Sequence, residues 1–340
     1  MIKVDSAYYY YGTSLLPAQI STITSLITSL AQDPIFFGRR DTSGVLGFIS
    51  PVSSSITIFN TPEEVTEGAD PTSTTSFVST PWTIRDIHFT ASDAIYAHLE
   101  PQGTDTKTST IFKLPSLQHL QDFLGAPSQG KDNLPDETTC TTFTTTHSTT
   151  NTATLTTLSP KGQVRTLATD HRFTRAAGRD SDHSISTAQP VPFLEETAIM
   201  KVAAGGLYTA ALAGDGELYL WGQAAAGSPG ELRCLAKEDE DDDKYVRTVD
   251  VGEGVKVVDV AVGAAYVLVA VESEEKREVW SAGDNQYGAL GLGAAIGGRE
   301  FVEMFVPVKA LEGKRIKQMI CAGMSSFVVV EAEETDGHEH

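Results

Sequence analysis

A unit of strand, turn and strand recurs three times in the C-terminal half of the chain, and no other feature narrows the possible folds as far. The first copy reads Val202-Ala-Ala-Gly205-Gly-Leu-Tyr208, then an alternating run over residues 209–212. The turn Gly214-Asp215-Gly216 follows, and a second run ends in Trp221 and Gly222. The second copy reads Val260-Ala-Val-Gly263-Ala-Ala-Tyr266 and closes on Glu278-Val-Trp280-Ser-Ala-Gly283; the third begins Ile320-Cys-Ala-Gly323. Gly205, Gly263 and Gly323 stand 58 and 60 residues apart. Period-two alternation cut by Asp-Gly is the pattern of a β-hairpin, because glycine accepts the positive φ such a turn needs. A lone hairpin cannot bury its faces, so several must pack together, and radial packing of small sheets is the propeller solution.

Weaker copies fill the N-terminal half. Ile87-His-Phe-Thr90 leads into residues 94–99 and 110–113, and residues 153–158 and 163–167 flank the turn Ser159-Pro-Lys-Gly162. Residues 20–30 and 35–38 suggest a further copy, and residues 44–59 a possible seventh. A competing reading makes residues 16–30 a helix, since Leu16, Ile20, Ile23, Ile27 and Leu30 recur at helical spacing. The Thr-rich stretch 138–157 reads as strands, because apolar residues interleave with the threonines and no proline interrupts. The expected fold is all-β: a closed β-propeller of six or seven blades over residues 1–334. Residues 61–80 and 223–254 are expected as loop insertions and 335–340 as a flexible tail. The last unit lacks its second strand, so the N-terminal strand at Tyr8 to Gly12 is expected to complete the last blade and remove two sheet edges.

Trp280-Ser-Ala-Gly283-Asp-Asn285-Gln-Tyr-Gly288-Ala-Leu290-Gly291 resembles the W-G-x-N-x-x-G-x-L-G motif of regulator-of-chromosome-condensation repeats. Residues 202–222 resemble the other half of that repeat, with Tyr208 and Tyr266 where the family usually has histidine. The resemblance is strong over residues 199–330 and implies a propeller. It leaves two functions open: a protein-binding adaptor, or a guanine-nucleotide exchange factor for a small Ran-like GTPase. In length the chain is similar to the alpha-tubulin suppressor type of the family, whose members partner a small zinc protein.

Other chemistry is poorly supported. Gly125-Ala-Pro-Ser-Gln-Gly130-Lys131 has the spacing of a phosphate loop, but Asp132 stands where a hydroxyl should hold magnesium and prolines interrupt it. The histidines show no metal-binding spacing, Cys140, Cys234 and Cys321 form no CxxC pair, and no serine-nucleophile elbow occurs. No cofactor, metal or catalytic residue is implied, and the chain reads as a non-enzyme. A formal net charge of −20 disfavours nucleic-acid and membrane partners and favours a protein with a basic face. The run Glu238, Asp239, Glu240, Asp241, Asp242 and Asp243 is expected to project as a loop that steers such a partner. No apolar leader is read at the N-terminus, so a cytoplasmic or nuclear setting is expected.

Overall fold

The computed structural model describes residues 2–4, 7–9, 21–22, 25–26, 35–38, 46–50, 55–59, 74–78, 82–89, 95–101, 109–125, 139–143, 145, 147–180, 187–224, 227–236, 244–272, 277–293, 300–322 and 324–330. The chain falls into two compact units, Met1–Ser148 and Thr149–His340.

In the first unit, β1 (Ile2–Val4) and β2 (Ala7–Tyr9) form a hairpin. A four-stranded antiparallel sheet follows, with β3 (Ile35–Gly38), β4 (Leu46–Ser50), β5 (Ser55–Phe59) and β6 (Thr74–Val78) in chain order. A second such sheet holds β7 (Trp82–Phe89), β8 (Ile95–Pro101), β9 (Ser109–Leu114) and β10 (Thr139–Phe143). Helix α1 (Leu117–Gly125) lies between β9 and β10, and its Leu120 and Phe123 join a core with Ile49, Ile56, Ile84 and Phe112. Ser116 caps this helix, its Oγ meeting both the backbone N–H and Nδ1 of His119.

The next sheet comprises β11 (His147–Thr150), β12 (Thr154–Leu158), β13 (Val164–Ala168) and β14 (Gln189–Pro190), its first strand spanning the junction of the units. Two full repeats follow: β15 (Ile199–Gly205), β16 (Tyr208–Ala213), β17 (Leu218–Gly222) and β18 (Val246–Thr248), with helical turn α2 (Arg233–Ala236) before β18. Then come β19 (Lys256–Val262), β20 (Tyr266–Glu272), β21 (Arg277–Asp284) and β22 (Phe301–Pro307). The last hairpin is β23 (Ile316–Ala322) and β24 (Ser325–Val330).

Every four-stranded sheet is a meander in chain order, as short antiparallel connections dictate. Within the second unit the cores sit between successive sheets. Leu158 and Val164 meet Ile199, Val202 and Trp221; Leu218 and Leu220 meet Val257, Val260 and Val269; Leu268 and Val279 meet Ile316 and Met319. Strands β16 and β20 are buried at nearly every position, because each is covered on both faces by neighbouring sheets.

The all-β reading holds, and in the Thr-rich stretch Thr139–Phe143, His147–Thr150 and Thr154–Leu158 are strands as expected. Four expectations change. Tyr8 belongs to β2, which pairs with β1 across a two-residue connection, whereas β23 and β24 pair with each other. The N-terminal strand thus finds a local partner, at far smaller loop-closure cost than one more than 300 residues away in sequence. The two candidate copies at 20–38 and 44–59 merge into one sheet, β3 to β6, and Ser21, Thr22, Ser25 and Leu26 are helical. The range 61–80 contains β6 as a paired outer strand, and 223–254 contains both α2 and β18. The tail 335–340 lies outside the described residues.

Candidate protein-docking surface

Gly205 and Gly206 are explained by close approach of the next repeat. A Cβ on Gly205 would lie 2.5 Å from the carbonyl oxygen of Val262, and one on Gly206 would lie 1.6 Å from that of Ala264. Gly206 also accepts a hydrogen bond from the Thr152 N–H at 2.8 Å, and Asn151 Nδ2 donates to Thr209 Oγ1 at 2.9 Å. The same turn in three successive sheets therefore nests one into the next. Gly263 lies against the ring of its own repeat's Tyr266, which with Tyr208 is fully buried. These two tyrosines fill the position where the resemblance led us to expect histidine. Gly323 lies outside the described residues.

Gly222 and Gly283 are structural equivalents, opposite Tyr208 and Tyr266 with φ of 114° and 115°, a region open only to glycine at low cost. This register shows that Trp221 and Trp280 are not equivalent. Trp280 matches Tyr219, and Trp221 matches Ala282. Each member of the first pair donates to the glutamate two residues earlier: Tyr219 Oη to Glu217, and Trp280 Nε1 to Glu278 at 3.0 Å. Trp221 is instead wholly buried, 0% exposed, under Gly178, where a Cβ would approach its Nε1 to 2.9 Å. The covering segment is fastened by Thr166, which donates to the Ala177 carbonyl at 2.7 Å and accepts from Arg179 Nε at 3.1 Å. Gly216 has φ +100° in the turn after β16, and Asp215 Oδ1 accepts the Glu217 N–H at 3.1 Å.

The motif after β21 builds a rigid turn. Asp284 Oδ1 accepts the Gln286 N–H at 2.8 Å, Asn285 Oδ1 accepts the Leu290 N–H at 3.2 Å, and the Gly288 N–H donates to Asn285 O at 2.9 Å. Gly288 and Gly291 adopt positive φ and turn the chain back. Leu290 is buried in the core beside Tyr266 and Val308. Ser281 Oγ donates to the Leu290 carbonyl at 3.0 Å, and Ser326 Oγ to that of Ala289. On this frame Tyr287 stands at the tip, 71% exposed. The motif predicted Asn285 and Leu290; the two serine clamps and the outward tyrosine were missed, because no motif position specifies them.

The acidic run Glu238, Asp239, Glu240, Asp241, Asp242 and Asp243 lies outside the described residues. The phosphate-loop candidate is directly preceded by helix α1 rather than by a strand, and beyond Gly125 it too lies outside them. Burial pushes the Cys234 thiol up to about 11 and that of Cys321 up to about 12, so neither supplies a thiolate at neutral pH. Among the described residues no three acidic, histidine or cysteine side chains could hold a metal ion. One polar cluster escaped the sequence: Ser148 Oγ lies 3.0 Å from His88 Nε2 and 3.4 Å from His98 Nδ1, with Asp86 Oδ2 3.5 Å from His88 Nε2. Asp86 and Ser148 both address the same ring nitrogen, so no nucleophile–base–orienter relay is formed. No described helix is long and apolar enough to cross a membrane.

Comparison with known proteins gives the same assignment. Residues 278–329, from β21 to β24, match the regulator of chromosome condensation (RCC1) repeat. The chain is 39% identical over 99 residues to the human E3 ubiquitin-protein ligase HERC2, covering 29% of this chain and 2% of that protein. It is 29% identical over 153 residues to the mitochondrial RCC1 domain-containing protein RUG3 of Arabidopsis thaliana, covering 44% of this chain and 33% of that one. The chain thus spans a minor part of these relatives. Prp20p from Saccharomyces cerevisiae superposes with a TM-score of 0.55 at 14% identity, over 85% of this chain and 68% of Prp20p. Yeast RCC1 (Prp20) bound to Kap60 gives 0.53 at 14% identity, over 85% and 65%. The nested glycine turns, the rigid motif turn and these likenesses together show an RCC1 repeat over residues 278–329 and a fold similar to that of yeast RCC1 (Prp20).

Proposed function

We propose that the chain is a non-enzymatic scaffold that docks another protein on the loops between its strands. The observation that carries this reading is the turn after β21, where buried Leu290 and exposed Tyr287 share one rigid frame. A preorganised loop holding an outward aromatic loses little entropy on association, which is the economy a binding surface needs. The closed single-propeller form over residues 1–334 and an intracellular setting belong to this proposal. So does the run Glu238 to Asp243, which would steer a basic partner through its association rate, screened over about 8 Å at physiological salt.

A guanine-nucleotide exchange role is the second reading. Its support is the fold likeness to Prp20p, which has binding properties toward Gsp1p and histones. The ligase activity in the name of HERC2 is not proposed, since the match covers 2% of that protein. Affinity purification of the full chain followed by nucleotide-release kinetics on a panel of purified small GTPases separates the two. The scaffold reading expects a stable protein partner and unchanged release. Accelerated release from one GTPase would replace it with the exchange reading.

A further inference from the structure

At one end of the β15–β18 sheet Phe193 and Met200 are exposed, and exposed carboxylates stand on the turns around them. Met200 is 61% exposed and Phe193 38%, unusual for large apolar groups in a chain with buried cores between its sheets. The exposure of Met200 has a structural cause. It is the extra residue of a β-bulge, lying between the pairs Ile199↔Ala213 and Lys201↔Leu212. A bulge re-aims the side chain it inserts. The same irregularity of register recurs at Arg85 in β7, Val258 in β19 and Lys317 in β23, and Val258 turns instead toward a core.

Phe193, in the turn Pro192–Leu194, packs edge-on against Tyr219 at 6.0 Å between ring centroids. Tyr219 Oη donates to Glu217, whose N–H donates to Asp215. The Gly214 position beside Asp215 lies 3.6 Å from Met200 Sδ, measured to an ideal Cβ. The turn after Phe193 is held by Glu195 N–H on Pro192 O at 3.2 Å and Thr197 N–H on Leu194 O at 3.2 Å, which sets Glu195 and Glu196 outward. Glu195, Glu196, Asp215 and Glu217 are all exposed. Of the cations on neighbouring strands, Lys201 is engaged by Asp259, and the stem of Lys256 lies along Gly216.

We propose that this surface, Phe193 and Met200 framed by Glu195, Glu196, Asp215 and Glu217, docks a basic segment of a partner protein carrying Lys or Arg on both sides of one apolar side chain. Charge complementarity selects that occupant. The rim repels phosphate backbones and acidic peptides, and an apolar centre of aromatic and methionine is the composition that protein interfaces favour. Methionine adapts its shape to the incoming side chain, and the carboxylates fix its basic flanks. The inference rests on the scaffold reading and names the surface that reading would use.

The test selects peptides from a random displayed library against the full chain and measures their binding by fluorescence anisotropy. The expected consensus is an apolar residue between basic ones. Phe193→Ser with Met200→Ser should weaken the selected peptide by about tenfold or more. Glu195→Gln, Glu196→Gln and Asp215→Asn together should weaken it several-fold at low salt and much less at high salt. Because all these side chains are exposed, thermal melting should stay within a few degrees of wild type, and a collapsed variant is replaced by the corresponding single substitutions. Enrichment of acidic peptides, or a basic consensus indifferent to both sets of substitutions, would overturn the assignment. A stable cellular partner whose affinity ignores both sets leaves the scaffold reading standing and removes this surface alone. No partner at all removes both.

Discussion

Lys201 on β15 and Asp259 on β19 form an ion pair between successive sheets, and each occupies the first position after the bulge of its own strand. The repeat thus places opposite charges at one structural address 58 residues apart. Asp259 Oδ1 also accepts the Val260 N–H at 2.9 Å, just as Asp86 accepts the Ile87 N–H at 2.8 Å after the bulge of β7. The carboxylate after a bulge thus accepts from the backbone N–H of the next residue in both strands. In the second unit it also ties neighbouring sheets together.

Both side chains are partly solvated, so the coupling is expected to be modest. A double-mutant cycle with Lys201→Gln and Asp259→Asn should return about 0.5–1 kcal/mol at low salt, and less at high salt. Denaturant midpoints would measure it. A coupling of zero would show that the pair orders the surface without stabilising it.

Gly206 makes a sharper prediction. A methyl group there would meet the carbonyl of Ala264 at 1.6 Å, backbone against backbone, at φ +58°. Gly206→Ala should destabilise by more than about 2 kcal/mol, because neither chain can move without unseating a neighbouring repeat. Gly227→Ala is the control: it shares a positive φ but meets nothing within 4 Å, so its cost should be limited to about 1 kcal/mol.

The two tryptophans should separate in the same assay. Trp221 is enclosed by Gly178 and the core that contains Leu194 and Val246, so Trp221→Ala should cost roughly 3–5 kcal/mol. Trp280 is only half-buried and keeps its Nε1 on Glu278, so its truncation should cost about half as much. Equal losses would contradict the register that pairs Trp280 with Tyr219.

What was legible in the sequence was whatever recurs. Gly205 and Gly263 announced themselves by spacing; the next repeat's backbone explains the first and the repeat's own Tyr266 ring the second. Asn285 and Leu290 stood in a motif whose hydrogen bonds and core plug the structure displays. The outer strands β6 and β18 were hidden, because five and three residues among prolines and acids carry too little alternation to read. Trp221 and Trp280 share a residue type but not a position, which only pairing with Tyr208 and Tyr266 fixes. Met200 looked like one more apolar residue in a strand; its exposure depends on a bulge, and a bulge leaves no mark in composition.

The cluster around His98 was equally silent in sequence, and it predicts an acid limb of stability. His98 is almost wholly buried in β8, its Nδ1 near Ser148 Oγ and its Nε2 without a hydrogen-bond partner. Burial, reinforced by His88, pulls its pKa down to about 4, while Asp86 and Glu100 act weakly the other way and Arg85 adds to the lowering. A folded-state value below the ordinary 6.5 means the unfolded chain binds the proton more tightly. The stability is therefore present above about pH 6.5 and is lost as pH falls toward about 4, to a limit of about 3 kcal/mol. Urea midpoints measured from pH 7 to pH 4 should fall along this curve in wild type and fall less in His98→Gln, whose amide does not titrate. Parallel curves for the two proteins would show that His98 binds its proton equally in the folded and unfolded chain and that the acid limb belongs to other groups.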